Sequence, residues 1–342
     1  MSQTNSRFLF VVAPQETDGL ERLTRCLVLA KTLADCGGTC AMIATAQSTL
    51  LLTGRAPFLS CVTTEGTNPQ NLCEAAGQLH YDAVIIDHPA LSREDHIALA
   101  GDRPSVVLDD HADRVIGGGI VVNPSLICIP ETYQGLTLDK AELLSGPSFA
   151  LVSPHSRNAQ GAPQIDRGTV SHVLLSLQGL TSAELVMRIV DSLRPKLGEA
   201  LLDILLPQNF ETLRSLTKIA SRDTRMVLHA QPEAWPSVVL RADIAISAVG
   251  AGFWELCARG LPIMAVSVSP SDHVTVSHLT DLDAAIILDA AEQGFEGRLE
   301  RTLVRLVADP NLRRKLSSNS AALIDGGGAD RIAQKLIGLL PR

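Results

Sequence analysis

Short, continuous runs of β-branched and aliphatic residues alternate with longer helical patterns along the whole 342-residue chain. Two examples are Val84-Ile-Ile86 and Val106-Val-Leu108, in which no polar residue interrupts the apolar run. Strands of this kind are typical of parallel sheets that are covered by helices on both faces. Their alternation with helices predicts an α/β protein with doubly wound sheets.

The predicted elements follow one plan in both halves of the sequence. Strands are predicted at 8–13, 39–44, 83–87, 105–109 and 120–123, and then at 172–177, 202–206, 226–228, 244–247, 263–268 and 285–288. Helices are predicted at 20–36, 69–80, 93–100, 182–193, 210–220, 233–241, 253–259, 274–279, 298–308, 311–318 and 330–339.

A chain of 342 residues is long for one core and suits two domains. The segment between the two halves is polar, contains two prolines and lacks periodicity. We therefore predict an N-terminal domain at 1–153, a linker at 154–167 and a C-terminal domain at 168–342, whose last helix packs back toward the first domain. Two such domains are expected to face a cleft, where ligands of open α/β sheets bind.

Composition excludes several classes of function. The formal net charge of −8 and the 3% aromatic content disfavour binding of nucleic acid. No apolar run approaches the ~20 residues of a membrane span, and the polar N-terminus lacks a signal-peptide pattern. The seven cysteines form no C-x-x-C pair, which predicts free thiols in a reducing cytoplasm. Neither a metal site nor a cofactor is expected.

A turn of small residues, Ala248-Val-Gly-Ala-Gly252, joins a predicted strand to a helix that begins with Phe253-Trp-Glu255. Small residues allow backbone to approach a phosphate, and a helix start offers free N–H groups and a favourable dipole. Glu255, expected in the first turn, could accept two hydrogen bonds from a ribose diol. The alternative is a tight turn in which Glu255 only complements the helix dipole.

A second strand–turn–helix junction lies at 175–182. Gly179 occupies the turn, and Thr181 or Ser182 is the expected N-cap. The junction could be an ordinary βα loop.

These segments, taken in order, resemble a known fold family. Ala242-Asp-Ile-Ala-Ile-Ser247, the small-residue turn with Trp254-Glu255, and Gly260-Leu-Pro262 resemble the nucleotide-binding half of GT-B glycosyltransferases. The order and spacing more closely resemble a GT-B hydrolase family, which cleaves UDP-2,4-diacetamido-2,4,6-trideoxy-β-L-altropyranose during pseudaminic acid synthesis. The N-terminal segments that match this family are Ile85-Ile-Asp-His88, Val107-Leu-Asp-Asp110, Val121-Val-Asn123 and Gly146-Pro-Ser-Phe-Ala-Leu151.

The resemblance implies two GT-B domains and a UDP-sugar between them, used in nonulosonic acid synthesis and flagellin glycosylation. The N-terminal domain would hold the sugar and the C-terminal domain the UDP. Glu255 would lie near the ribose, and the backbone of Val227 and Leu228 near the uracil. The residues implied near the phosphates are Gly179, Leu180, Thr181, Gly250, Ala251 and Gly252.

The sequence departs from this family at the positions of the chemistry. The family carries Gly-x-Gly-His-x-x-Arg, whereas this chain has Gly19-Leu-Glu-Arg-Leu-Thr-Arg25. Arg22 replaces the His that is expected to activate water, and a guanidinium has no acceptor for a proton. Ser271-Asp272 replaces an Asn-Gln pair, and Pro89 stands where the family has Tyr.

Three functions therefore stay open. The first is a UDP-sugar hydrolase with a different base, for which the candidates are Asp87, His88, His111 and His273. Ser271 and Asp272 complete the candidate catalytic set together with Arg22.

Asp109 and Asp110 could form a carboxylate dyad with shifted pKa values. Adjacent residues at a strand end point in opposite directions, however, so one of them is expected to be a turn or cap residue.

The second function is a glycosyltransferase, in which Arg22 holds a phosphate or an acidic acceptor and Asp87 or Glu21 deprotonates an acceptor hydroxyl. The third is a non-catalytic relative that binds a nucleotide sugar or a partner enzyme.

Overall fold

The structure is a computed structural model, and it divides into two compact units. The first unit combines Met1–Val152 with Gly327–Arg342, and the second is Ser153–Gly326. The predicted linker at 154–167 lies outside the described residues. The ranges described are 5–13, 19–45, 49, 52, 56–66, 68–126, 128, 130–153, 168–176, 180, 182–206, 212–230, 235–249, 251–269 and 273–341.

The first unit is built on a seven-stranded parallel sheet of order β3-β2-β1-β4-β5-β6-β7. Its strands are β1 (Arg7–Val12), β2 (Thr39–Ala44), β3 (Leu59–Thr63), β4 (Ala83–Asp87), β5 (Ser105–Leu108), β6 (Ile120–Asn123) and β7 (Glu142–Ser145). Its helices include α1 (Gly19–Asp35), α2 (Pro69–Gly77) and α3 (Arg93–Ala100).

The central strand β1 shows why these apolar runs are continuous. Phe8 and Phe10 are buried in one hydrophobic cluster with residues of α1, whereas Leu9 and Val11 are buried in another with residues of α2 and α3. Successive side chains of a strand alternate between faces, so a sheet covered on both faces needs an apolar residue at every position. The predicted doubly wound architecture is confirmed for this unit.

The second unit contains a six-stranded parallel sheet of order β10-β9-β8-β11-β12-β13. Its strands are β8 (His172–Ser176), β9 (Leu201–Leu205), β10 (Met226–His229), β11 (Ile244–Ala248), β12 (Ile263–Ser267) and β13 (Ile286–Asp289). Its helices include α4 (Ala183–Leu193), α5 (Leu213–Ala220), α6 (Trp235–Arg241), α7 (Ala251–Arg259), α8 (His273–Asp281), α9 (Phe295–Ala308) and α10 (Pro310–Leu323). Within the described residues, none of these helices has the length and apolar character that crossing a bilayer requires.

Two strands of the first sheet were not predicted from the sequence, and both lie at its edges. Strand β3 has no fully buried residue and β7 has one, whereas every residue of β4 and β5 is buried. An edge strand has one neighbour and partial cover, so its sequence does not need the continuous apolar run by which the other strands were recognised.

The last helix, α11 (Gly328–Gly338), packs in the first unit. Ile332 and Leu336 are fully buried in the cluster that contains Phe8 and Phe10. A Cβ atom added to Gly328 would lie 2.3 Å from the carbonyl oxygen of Ala150, so the helix approaches this backbone as closely as only glycine allows.

His96 is a buried titratable group on α3, and its Nδ1 accepts a hydrogen bond from the N–H of Gly117 at 3.2 Å. Burial lowers the pKa of His96 to about 4, with a further contribution from Arg114. The other charged or titratable groups that act on it are Asp95, His88 and Asp109. The folded protein therefore holds this imidazole neutral at pH values where the unfolded chain would protonate it.

We expect this linkage to be visible as a loss of stability in mild acid. The contribution of His96 is fully present above its unfolded pKa of 6.5 and is lost as the pH falls toward the folded value of about 4, a total of up to about 3 kcal/mol. Urea unfolding at pH 7, 6, 5 and 4.5 measures the free energy of unfolding. This free energy should depend less steeply on pH in His96→Asn, which keeps an acceptor for Gly117 but cannot titrate in this range. Equal slopes in the variant and in the unmodified protein would contradict the assignment, and exposed His80→Asn is the control.

Candidate functional site

Charged residues gather at the carboxyl edge of the first sheet, where α1 begins after β1. Asp87 is the last residue of β4, and Asp110 follows shortly after the end of β5. Because β1, β4 and β5 are consecutive parallel neighbours, their carboxyl ends meet at one edge. Arg22 and Arg25, three residues apart on α1, share the helix face that meets both acidic residues.

Arg25 makes four hydrogen bonds to the two carboxylates. Its Nε and Nη2 donate to Oδ2 and Oδ1 of Asp87 at 2.6 and 2.7 Å. Its Nη1 and Nη2 donate to Oδ1 and Oδ2 of Asp110 at 2.7 and 3.0 Å. Such fork-shaped pairing is the geometry at which guanidinium–carboxylate bonds are strongest.

Arg22 completes this cluster. Its Nη1 donates to Oδ1 of Asp87 at 2.8 Å and lies 3.6 Å from Oδ2 of Asp110. The carboxylate of Asp87 has no exposed surface, and Cys26 Sγ lies 3.6 Å from its Oδ2. Asp87, a candidate base, therefore has both oxygens committed to guanidinium groups, and the two arginines balance the two carboxylates in charge. We call Arg22, Arg25, Asp87 and Asp110 the arginine–aspartate cluster.

The cluster stabilises the charged forms of Asp110 and Arg25. Burial would raise the pKa of Asp110, but the guanidinium of Arg25 lowers it below the ordinary value of 3.8. Burial would lower the pKa of Arg25, but Asp87 raises it well above its ordinary value. The ion pair between Arg25 and Asp110 is therefore intact throughout the neutral range.

Asp109 faces different partners from Asp110, as the alternation along a strand end predicts. Its Oδ2 accepts the backbone N–H of Ala112 at 2.8 Å, which makes it the expected turn residue, and the hydroxyl of Tyr133 at 2.5 Å. Its Oδ1 accepts from Arg114 at 2.8 Å. Burial and the Asp109 carboxylate raise the pKa of Tyr133. The two carboxylates are held by different partners, which does not fit the interpretation as a dyad.

The remaining candidate bases have mixed surroundings. His88 is buried with 4% of its surface exposed, whereas His111 is exposed. His273 begins α8, and Glu21 lies in the first turn of α1, but the side chains of both lie outside the described residues. Ser271 and Asp272 also lie outside them.

In the second unit, β11 ends at Ala248 and α7 begins at Ala251. The helix starts two residues earlier than predicted, which places Glu255 beyond the first turn, where the helix dipole has less effect. Its carboxylate has a specific partner instead, since Oε1 accepts the backbone N–H of Ser153 at 2.7 Å. Gly250 lies outside the described residues, and Gly252 lies in the first turn of α7.

The second junction is described only in part, because Gly179 and Thr181 lie outside the described residues. Leu180 is 1% exposed and its side chain packs in the hydrophobic cluster of the second unit, so only its backbone is free to serve a ligand. Ser182 is the N-cap of α4, and its side chain accepts from the N–H of Leu185.

Val227 and Leu228 lie on β10, the terminal strand of the second sheet. Leu202 donates to the carbonyl oxygen of Arg225 at 2.7 Å, and Leu206 donates to that of His229 at 3.3 Å. By the two-residue period of a parallel ladder, the peptide groups of Val227 also face β9, and the N–H and C=O of Leu228 face away from the sheet. Leu228 therefore offers one backbone donor and one acceptor at the sheet edge.

Several residues of these sites were not identified from the sequence. Arg25 was recognised only as a match to a motif, although its spacing of three from Arg22 on a helix was a usable signal. Tyr133 and Arg114, which bind Asp109, carried no local signal because their role depends on tertiary contacts. The same is true of Ser153, whose contribution is a backbone N–H.

No protein-family model matches the sequence, and no curated protein matches it significantly. Solved structures do share its fold. MurG of Acinetobacter baumannii is 15% identical, with 98% of this chain and 100% of that chain covered and a TM-score of 0.64. UGT89C1 of Arabidopsis thaliana, solved with UDP, is 12% identical over 97% of this chain and 100% of that one, with a TM-score of 0.67. A UDP-N-acetylglucosamine 2-epimerase is 12% identical over 98% and 96%, with a TM-score of 0.66. At these identities the likeness shows the fold alone, and the predicted GT-B fold is confirmed.

Proposed function

We propose that the protein binds a UDP-sugar through its second unit and hydrolyses it, releasing UDP. The observation that carries the proposal is the junction from β11 to α7, where a helix begins with the small residues Ala251 and Gly252 and Glu255 lies one turn along it, with Oε1 held by the N–H of Ser153. A helix start suits a diphosphate, and a carboxylate suits a ribose diol. UGT89C1, which has the same fold, was solved with UDP.

The sheet edge at Leu228 supports uridine as the nucleoside. Uracil carries an N–H beside a carbonyl oxygen, so one residue with an outward N–H and C=O can pair with both groups. An edge strand offers such a pair without any side chain. We therefore assign the base to the backbone of Leu228, with Val227 beside it in the ladder to β9, the ribose to Glu255, and the diphosphate to the segments that contain Gly179 and Gly250.

The sugar follows from the family that the sequence resembles, which acts on a diacetamido-trideoxyhexose of pseudaminic acid synthesis. In the hydrolytic reaction, water replaces UDP on the sugar and a base accepts one proton. His88, Ser271 and Asp272 are our candidates for this catalytic part. The arginine–aspartate cluster would fix the carboxyl edge of the first sheet and leave Asp87 and Arg22 as positioning residues.

Glycosyl transfer is the second candidate function, and one observation favours it. Arg22 stands at the position of the water-activating His and is held by Asp87 at 2.8 Å. A site without that imidazole has lost the group that would favour water over an acceptor hydroxyl. A protein that binds UDP without any turnover would be the third outcome.

One assay separates these functions. The protein is incubated with the UDP-linked diacetamido sugar, and UDP is followed by a coupled assay or by NMR. UDP release without an acceptor supports hydrolysis, whereas release that requires an acceptor supports transfer. Release at the rate of buffer alone, also in Arg22→His, would rule out hydrolysis of this sugar.

We expect Glu255→Ala to weaken UDP binding by about 1–3 kcal/mol, because the ribose loses charged hydrogen bonds. This corresponds to a roughly 5- to 150-fold rise in Kd, measured by calorimetry. Glu199→Ala is the matched control. Glu199 is exposed and precedes β9, at the amino ends of the strands, whereas Glu255 follows the carboxyl end of β11. An unchanged Kd for Glu255→Ala would remove this residue from the site.

A further inference from the structure

A second charged cluster lies on one face of the second sheet. It contains His172 at the start of β8, Asp203 within β9, His229 at the end of β10 and Arg241 at the end of α6. Asp203 Oδ2 is 2.8 Å from His172 Nδ1, and its Oδ1 is 2.7 Å from His229 Nε2. Arg241 Nη2 donates to Oδ1 of Asp203 at 2.6 Å.

The register explains why these side chains meet. Asp203 is paired with Leu174 on one side and with Val227 on the other. His172 and His229 each lie two residues from these partners, so they share the face of Asp203. The cluster therefore runs diagonally across three strands and ends at the carboxyl end of β10.

Asp203 is a buried anion that depends on this cluster. It is 1% exposed. Burial would raise its pKa, but the hydrogen bonds from Arg241, His172 and His229 lower it below 3.8. An apolar residue at such a site is often neutral or stabilising for a fold. The fold itself therefore does not explain a carboxylate in the middle of β9.

The cluster fixes the end of an edge strand. The carbonyl oxygen of His229 accepts from the N–H of Leu206 at 3.3 Å and from Nε1 of Trp235 at 3.2 Å. Its imidazole is held by Asp203 in addition. The residue whose N–H and C=O face away from the sheet, Leu228, directly precedes this anchored residue. A ladder on one side only would leave such a strand end free to fray.

We propose that His229, held by Asp203 and Arg241, is a positioning residue that orients the backbone of Leu228 for recognition of a nucleobase with an N–H beside a carbonyl, such as uracil. The proposal rests on the function proposed above. His229 acts through the peptide groups of Leu228, and the cluster makes the site selective for the base and not for the diphosphate.

The test compares two ligands that differ only at the base. UDP can donate from N3 to the carbonyl of Leu228, whereas 3-methyluridine 5′-diphosphate cannot. We expect the unmodified protein to prefer UDP by about tenfold, the upper value of the one hydrogen bond that the methyl group removes. His229→Ala should reduce that ratio to about threefold or less while affinity for the methylated ligand changes little.

If His229 has only a structural role, His229→Ala should lower the affinity for both ligands equally. The ratio of the two affinities would then be unchanged, which would overturn the proposal. His229→Gln, whose amide N–H can replace Nε2–H as a donor to Asp203, should restore most of the preference for UDP. Asp203→Asn provides a second variant if His229→Ala does not fold, and it should also reduce the ratio. Exposed His80→Ala in the first unit is the control.

Failure of this proposal can be told from failure of the proposed function. If the unmodified protein does not bind UDP, both are wrong. If it binds UDP, Glu255→Ala weakens binding and the ratio is the same in His229→Ala, only the positioning role of His229 is wrong.

Discussion

Replacement of Arg25 by methionine is expected to lower the free energy of unfolding by about 3–5 kcal/mol, the cost of removing one partner from a buried ion pair. Arg25 is the only described residue that forks to both carboxylates of the arginine–aspartate cluster. Without it, Asp87, which has no exposed surface, and Asp110 share the single charge of Arg22. Two carboxylates with one counter-charge cannot both stay ionised at this burial without a large free-energy cost.

Urea unfolding at pH 7 measures this loss, and Arg7→Met is the matched control. Arg7 pairs with Asp82 in the same unit, but 54% of its side chain is exposed, so its removal should cost under about 1 kcal/mol. Arg25→Lys keeps the charge without the fork and should be intermediate. Similar losses for Arg25→Met and Arg7→Met would show that the cluster does not stabilise the fold.

The sign of the pH dependence gives a second check. The pKa of Asp110 lies below 3.8 in the folded protein. The contribution of Asp110 to the free energy of unfolding is therefore present above about pH 4 and is lost as the pH falls further. The difference in the free energy of unfolding between Arg25→Met and the unmodified protein should become smaller below that pH. Protonation of a carboxylate removes the charge that Arg25 no longer balances.

Gly328→Ala is expected to cost about 2–4 kcal/mol through displacement of α11. The added Cβ would lie 2.3 Å from Ala150 O and 2.6 Å from Phe149 C. Both are backbone atoms and cannot rotate away. Relief of the contact requires that the helix move away from residues 149–150, which exposes part of Ile332 and Leu336, both fully buried in the structure.

Gly338→Ala is the matched control for this substitution, because Gly338 ends the same helix and a Cβ there meets nothing within 4 Å. Alanine in a helix is better than glycine by about 0.5–1 kcal/mol, so Gly338→Ala should be neutral or stabilising. Thermal unfolding followed by circular dichroism distinguishes the two variants by their Tm. Equal Tm values for Gly328→Ala and Gly338→Ala would show that α11 does not pack as closely as described.

Much of this fold could be predicted because burial on both faces leaves a trace in local sequence. The strands β4, β5, β6 and β11 each contain a run of at least three apolar residues, and every residue of these strands is buried. The edge strands β3 and β7 lack that trace. The start of α7 was placed two residues late because Ala251 and Gly252 are small residues that suit either a turn or a helix.

The sites were less predictable, because their meaning depends on partners far apart in sequence. Arg22 could be recognised as a departure from a family motif, but its pairing with Asp87 joins positions 65 residues apart. Asp203 reads as one polar residue within an apolar strand, and only the fold brings His172, His229 and Arg241 to it. Strand periodicity specifies a face, whereas the composition of a cluster on that face depends on which strands become neighbours.

The first unit is discontinuous along the chain, since its last helix follows the whole second unit. During synthesis the ribosome therefore completes the sheet of the first unit long before it makes Ile332 and Leu336, which cover part of that sheet. Domains generally fold as they emerge, N-terminal first. The apolar surface that α11 later covers therefore stays exposed on the nascent first unit while the 174 residues of the second unit, from Ser153 to Gly326, are translated. We therefore expect chains that stop before residue 328 to expose this apolar surface and to be bound by chaperones or degraded.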